Sequence, residues 1–173
     1  RFFEFQKWQH SSLPDVILWS ETALPVDVSS SSVHLRRFSK FVSENQIPII
    51  TGAYRKDSAG KKFNTAAHFN GRGELVATAD KRILMPFGEY LPGEEIFPSL
   101  RTRFPQIPDY GRGKVERLFS IRDARIGIGI CYDNFTLILL SVQLLQNNGF
   151  RIQHPFHSWN IVLLLIPCNI GFL

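Results

Sequence analysis

Two short, unbroken apolar runs separated by one amphipathic stretch constrain this 173-residue chain more than any other feature. Val16-Ile17-Leu18-Trp19 and the segment Ile47 to Tyr54 (IPIITGAY) lack the alternation of a half-exposed strand. Runs of this kind are strands covered on both faces. Between them, Ser29 to Ser32 offers helix-capping hydroxyls. Leu35, Phe38, Phe41 and Val42 follow at three- and four-residue spacing, the mark of a helix that buries one stripe and ends near Asn45. Strand, helix, strand predicts a βαβ unit. Asp57-Ser58-Ala59-Gly60 is a turn and Phe63 to Phe69 a further strand. Asn70-Gly71-Arg72-Gly73 is a tight hairpin signal, with Glu74 to Ala79 returning as its partner. The expected class is α/β, with antiparallel strands added to a parallel core.

Residues 85 to 113 are rich in Pro and Gly and show no clean period. An irregular stretch of that length in a compact domain usually serves function. Arg125 to Tyr132 (RIGIGICY) then gives a buried strand with Cys131 at its carboxyl end. Beyond Asp133 the pattern degrades. Leu137 to Leu145 is apolar and fits a helix, residues 146 to 158 are weakly periodic, and the tail is apolar without alternation.

Composition narrows the function classes. Apolar residues make up 44% of the chain and charged residues 20%, as in a globular domain with a real core. The formal charge of +5 is scattered. Its densest spots are Arg36-Arg37, Lys61-Lys62 and the Arg101, Arg103 pair, none of them a polybasic tract, so no nucleic-acid partner is expected. The two cysteines, Cys131 and Cys168, form neither a disulfide scaffold nor a zinc motif, and Cys168 reads as a buried structural thiol. His154 and His157 have no further ligands nearby, so neither metal nor cofactor is expected. The last apolar stretch, Trp159 to Leu173, falls short of the roughly 20 residues that span a bilayer. The chain starts with Arg1 rather than Met and carries no signal peptide, and it reads as a fragment.

Three polar residues fall just past predicted strands: Glu21, Lys81 and Cys131. Reactive groups in open α/β sheets gather at the carboxyl ends of strands. A carboxylate within hydrogen-bond reach takes the proton of a thiol, which is a weak nucleophile until it does so. A fixed ammonium stabilises the charge that develops on a carbonyl oxygen. Together the three suffice for acyl transfer through a thioester. Spacing alone leaves the plainer alternatives open: a solvated strand-end carboxylate, a hairpin-end surface lysine and a buried structural thiol.

At these residues the sequence resembles the nitrilase, or carbon–nitrogen hydrolase, superfamily, and more narrowly its apolipoprotein N-acyltransferase branch. Residues 16–25 (VILWSETALP) are similar to a strand ending in Trp-Pro-Glu-(Thr/Asn)-Ala-(Leu/Ile)-Pro. Residues 80–92 (DKRILMPFGEYLP) are similar to a Lys-x3-Val-Pro-Phe-Gly-Glu-(Tyr/Phe)-x-Pro segment, and residues 126–133 (IGIGICYD) to an Ile-Cys-Tyr-Glu segment. The likeness covers residues 13 to about 135. It implies a nitrilase-like α-β-β-α sandwich, incomplete at its C-terminal end. It also implies roles by position: Glu21 as general base, Lys81 as support for the tetrahedral intermediate and Cys131 as nucleophile. Glu89 matches an assisting glutamate and Tyr132 the usual neighbour of the nucleophile. Asp133 stands where the branch has glutamate, one methylene shorter. Trp19 and Phe87 are candidate pocket walls, with aromatic core the plainer alternative for each.

The reaction so implied moves an acyl chain from a phospholipid to the cysteine. It then passes to the free amine of a diacylglyceryl-cysteine at a lipoprotein N-terminus. The expected partners are thus a phospholipid donor, a lipoprotein acceptor and a membrane surface, at a bacterial inner membrane with the domain on the periplasmic side. The segment from Met85 to Gly113 is expected to act as a lid or membrane-facing arm. Residues 1–135 are read as the N-terminal portion of the catalytic domain and residues 136–173 as a divergent apolar tail foreign to the fold. A truncated sandwich of this kind is expected to be inactive and poorly soluble by itself. Two other readings stand beside this one: a soluble amidase or nitrilase using the same three residues, and a non-catalytic truncated product.

Overall fold

A computed structural model describes residues 14–114, 118–122 and 124–130, together with the backbone of strands at 152–153 and 161–166. Strand β1 (Val16–Leu18) leads into helix α1 (Val33–Asn45) and then β2 (Ile49–Lys56). Strand β3 (Lys62–Phe69) and β4 (Leu75–Asp80) follow, then a short helix α2 (Ser99–Arg103), β5 (Leu118–Ile121) and β6 (Ala124–Ile130). Two backbone strands, β7 (Ile152–Gln153) and β8 (Ile161–Ile166), complete the described elements.

These strands form two sheets, one in the order β4-β3-β2-β1-β7 and the other β5-β6-β8. The βαβ expectation is met by parallel pairing of Ile17 with Ile49 and Leu18 with Ile50. The predicted hairpin is met by antiparallel pairing of β3 with β4, whose register shifts between His68 and Phe69. Helix α1 begins where Ser32 Oγ accepts from the Leu35 N–H at 3.1 Å. It ends at Gln46, whose left-handed backbone (φ 57°) lets its N–H reach Val42 O.

Strand periodicity sorts the residues of the first sheet onto two faces. The outer face, with Ile17, Ile49, Ala53, Ala67 and Phe69, meets Phe38 and Val42 of α1. Phe38 packs edge-on against Phe69 at 4.9 Å and against Trp19 at 5.5 Å. The inner face, with Val16, Leu18, Ile50, Ala66 and Ala79, meets Phe119, Ile121, Ile126 and Ile130 of the second sheet. Helix on sheet on sheet is the first three layers of the expected sandwich; a closing helix layer lies outside the described residues. The tail shows no alternation, yet its backbone pairs into both sheets: β7 runs parallel to β1 and β8 antiparallel to β6.

His68 sits on the inner face, 4% exposed, with its ring stacked on Phe119 at 5.5 Å. Burial pushes its pKa down from 6.5 to about 4, so it is neutral in the fold. The unfolded chain takes up a proton there near pH 6.5 that the folded chain refuses. Stability is therefore full above pH 6.5 and falls as pH drops towards 4, by about 3 kcal/mol for this group. Urea titrations from pH 7.5 to 4.5 should show that loss, and His68→Phe should remove most of it. An unchanged pH slope in the variant would discount the buried histidine.

Candidate active site

Four polar side chains meet at one end of the first sheet: Glu21 beyond β1, Asn64 in β3, Lys81 beyond β4, and Glu89 in the segment that follows. The backbone fixes the first three. Lys81 N–H donates to Asn64 O at 2.8 Å, so the β3–β4 ladder continues one residue past β4 and sets Lys81 opposite Asn64 on the inner face. The chain beyond β1 stays alongside β2, through Gly52 N–H to Ser20 O (3.2 Å) and Leu24 N–H to Gly52 O (3.0 Å). It crosses there because position 52 has no side chain. A Cβ on Gly52 would lie 2.4 Å from Thr22 N and 2.6 Å from Glu21 Cα.

That contact gives a direct test. Gly52→Ala must push the Glu21 backbone away, because both neighbouring atoms are main chain. We expect a stability loss of about 1–3 kcal/mol by thermal or urea denaturation. In the complete protein, a Glu21 carboxylate displaced by about 1 Å is expected to lower activity about 100-fold. An alanine variant with unchanged stability would refute the close crossing.

Lys81 is buried at the centre of the cluster. Its Nζ lies 3.3 Å from Glu21 Oε1 and 2.9 Å from Glu89 Oε2. Asn64 Nδ2 donates to both carboxylates, to Glu21 Oε1 at 2.6 Å and Glu89 Oε1 at 2.9 Å. The two glutamates are held differently. Glu89 spends both oxygens on fixed donors, its Oε2 also accepting from the Met85 N–H at 2.9 Å. Burial alone pushes its pKa up, but the donors at Asn64, Met85 and Lys81 outweigh this and hold it below the ordinary carboxylate value. These donors favour the anionic form of Glu89, which seats Lys81. Glu21 directs both of these contacts through Oε1, and among the described residues its Oε2 has no hydrogen-bond partner. A carboxylate with one oxygen clamped and the other open is built to accept a proton.

Asn64 had no place in the sequence reading. Its buried Oδ1 has no hydrogen-bond partner among the described residues, so the cluster holds one acceptor in reserve.

Of the expected site residues, Glu21, Lys81 and Glu89 come together. Cys131, Tyr132 and Asp133 lie outside the described residues. Strand β6 ends at Ile130, immediately before Cys131, and Ile130 belongs to the same inner cluster as Leu18, three residues before Glu21. Trp19 packs on Phe38 at the outer face. Phe87 is 65% exposed, with φ 61°, in the tight turn closed by its N–H to Tyr90 O. A concavity of about 780 Å³ opens at the other end of the strands, lined by Asp15, Gln46, His68, Arg72 and Arg122 among others. It lies at the opposite end of β1 from Glu21.

Residues 13–158 match the carbon–nitrogen hydrolase family. The apolipoprotein N-acyltransferase of Rhizobium leguminosarum bv. trifolii is 39% identical over 88 residues, 48% of this chain and 16% of the relative. That of Brucella suis biovar 1 is 32% identical over 128 residues, 69% of this chain and 24% of the relative. The chain therefore spans a quarter or less of the length of these two relatives. Among solved structures, an N-terminal amidase with an Asn-Glu-Ala peptide superposes at TM-score 0.49 and 16% identity, covering 82% of this chain and 38% of the other. The amidase from Nesterenkonia sp. AN1 superposes at TM-score 0.48 and 14% identity, covering 82% and 53%. By the match over residues 13–158, the chain belongs to the carbon–nitrogen hydrolase family.

Proposed function

We propose that this chain carries part of the catalytic domain of an N-acyltransferase that moves a fatty acyl chain from a phospholipid, through a thioester on Cys131, to the N-terminal amine of a diacylglyceryl-cysteine lipoprotein. The reading is carried by one observation: a buried ammonium clamped between two carboxylates at the strand ends, one of which keeps an open oxygen. The names of the relatives support the choice of acceptor.

In this scheme Glu21 takes the thiol proton of Cys131 and the sulfur attacks the ester carbonyl carbon. Lys81 stabilises the oxyanion. Collapse breaks the ester C–O bond, and the leaving alkoxide regains its proton from Glu21. The incoming amine then attacks the thioester carbonyl carbon and gives its proton to Glu21; collapse breaks the C–S bond, and the leaving thiolate takes that proton back. Water must be kept from the thioester in between. The segment after Lys81 suits that demand. Leu84, Leu91 and Ile107 anchor it in the core, while Ile83, Met85, Phe87, Ile96 and Phe97 expose apolar surface that fits an acyl chain or a bilayer. No helix among the described residues is long and apolar enough to cross a membrane. Action at the bacterial inner membrane is part of the proposal.

The test is intact-mass spectrometry after incubation with phospholipid. An adduct of acyl mass on Cys131 is expected in the complete protein, absent in Cys131→Ala, and discharged by a diacylglyceryl-peptide amine. The chain alone is expected to form no adduct. Discharge by water at the same rate as by the amine would instead indicate a hydrolase, and no adduct in either form would remove the proposed chemistry.

A further inference from the structure

Lys62 and Arg112 stand beside the site and are held by aromatic rings rather than by carboxylates. Lys62 Nζ lies 3.6 Å from the centroid of Tyr54 and 5.3 Å from that of Tyr110. The two rings are nearly parallel, 6.1 Å apart. The Arg112 guanidinium lies 4.7 Å from the centroid of Tyr90. Neither cation has a carboxylate partner among the described residues, whereas neighbouring Lys61 pairs with Asp109 at 2.5 Å. A cation on a ring face keeps its charge and its donors while losing mobility.

The backbone ties this pair to the catalytic cluster. Lys62 is two residues before Asn64 on the same face of β3, about 7 Å away at strand spacing. Tyr54 is the register partner of Asn64. Gly111 N–H donates to Lys62 O at 2.7 Å, and Tyr110 N–H to Glu89 O at 2.9 Å. Burial, then Tyr110, push the Tyr54 phenol above its ordinary pKa; Lys62 draws it back, and the Glu21 carboxylate adds a further upward push, as its proximity requires. One ring-held cation thus stands on the strand that carries Asn64, and the other lies between Gly111 and Gly113, whose N–H groups donate to Lys62 O and Lys81 O.

We infer that Lys62 and Arg112 form a phosphate-ester subsite that holds the headgroup phosphate of the acyl donor while its ester reaches Cys131. This rests on the proposed transferase reading for the source of the phosphate, but the subsite can be tested without turnover. A phosphodiester anion needs two or more donors arranged around it, and a lysine with an arginine supplies them. The same charge would be misplaced beside a neutral amide substrate.

The probe is glycerophosphoethanolamine, a soluble phosphodiester, titrated into the full chain and followed by NMR or calorimetry, with inorganic phosphate for comparison. Lys62→Gln and Arg112→Gln should each weaken phosphodiester binding about tenfold. Lys40→Gln, the same charge change on α1, should alter it less than about twofold. Melting curves identify any variant that fails to fold, and Lys62→Arg should then retain binding. Equal losses in the Lys40 and Lys62 variants, inorganic phosphate binding as tightly as the diester, or no binding at all would each overturn the subsite. An adduct on Cys131 without phosphodiester binding would refute the subsite and leave the transferase reading intact. In the complete protein, phosphodiester binding without any adduct would do the reverse.

Discussion

The Glu21→Gln form of the complete protein is expected to acylate Cys131 about 10²–10⁴ times more slowly than the unsubstituted protein. The exchange is nearly isosteric. The amide oxygen still accepts from Asn64 and Lys81, both of which now meet Glu21 at Oε1. What disappears is the open oxygen's capacity to take a proton. Single-turnover rates of adduct formation measure this directly. Stability should change little, because Glu89 continues to neutralise Lys81 at 2.9 Å. A rate within tenfold of the parent would mean that another group deprotonates the thiol, and the assignment of Glu21 would fail.

Lys81→Met is expected to damage both fold and chemistry. It leaves two carboxylates facing each other with Asn64 between them. Removing one partner of a buried ion pair costs about 3–5 kcal/mol. The pH dependence carries the sign of the effect. In the parent the donors hold Glu89 below its ordinary value, so its contribution is present above that value and is lost as pH falls through the lowered one. Without the ammonium, Glu89 loses part of what holds its pKa down, so its pKa rises relative to the parent and destabilisation should be greater at pH 7 than at pH 5. Urea denaturation at both values tests this. Activity should fall by a further factor of about 10²–10³ for loss of oxyanion stabilisation. A loss below 1 kcal/mol at pH 7 would contradict the clamped ammonium.

Most of the scaffold was legible because periodicity and punctuation agree. The apolar runs at Val16 and Ile49 pair as read, and the Asn70 to Gly73 signal is a turn between β3 and β4. Glu21 and Lys81 were legible as strand-end residues, while their contact became an expectation through the three family-like segments. Asn64 was not legible, because a polar residue in a strand reads as solvent-facing unless both faces are known to be covered. Gly52 did carry a signal, since glycine inside a strand marks a close backbone approach, but which backbone crosses there depends on the path after β1. The segment from Met85 to Gly113 has no period because polar staples replace ladder bonds: Glu89 to the Met85 N–H, and Gly113 N–H to Lys81 O at 2.9 Å. The tail hid a strand, because Ile161 to Ile166 (IVLLLI) is apolar without alternation and length alone does not separate strand from helix.

The pairing of β8 bears on the strand that precedes Cys131. β6 leads directly to Cys131 and is the middle strand of its sheet, bonded to β5 on one side and to β8 from Arg125↔Ile166 to Ile130↔Ile161 on the other. Cutting the chain before residue 161 would strip that second side and leave β6 as a raw, unpaired border. Its free amides would then recruit whatever extended polypeptide lay nearest, including another copy of themselves. Residues Ile161 to Ile166 thus act as a selvedge, keeping the thread that leads to Cys131 from fraying or knitting to its neighbours.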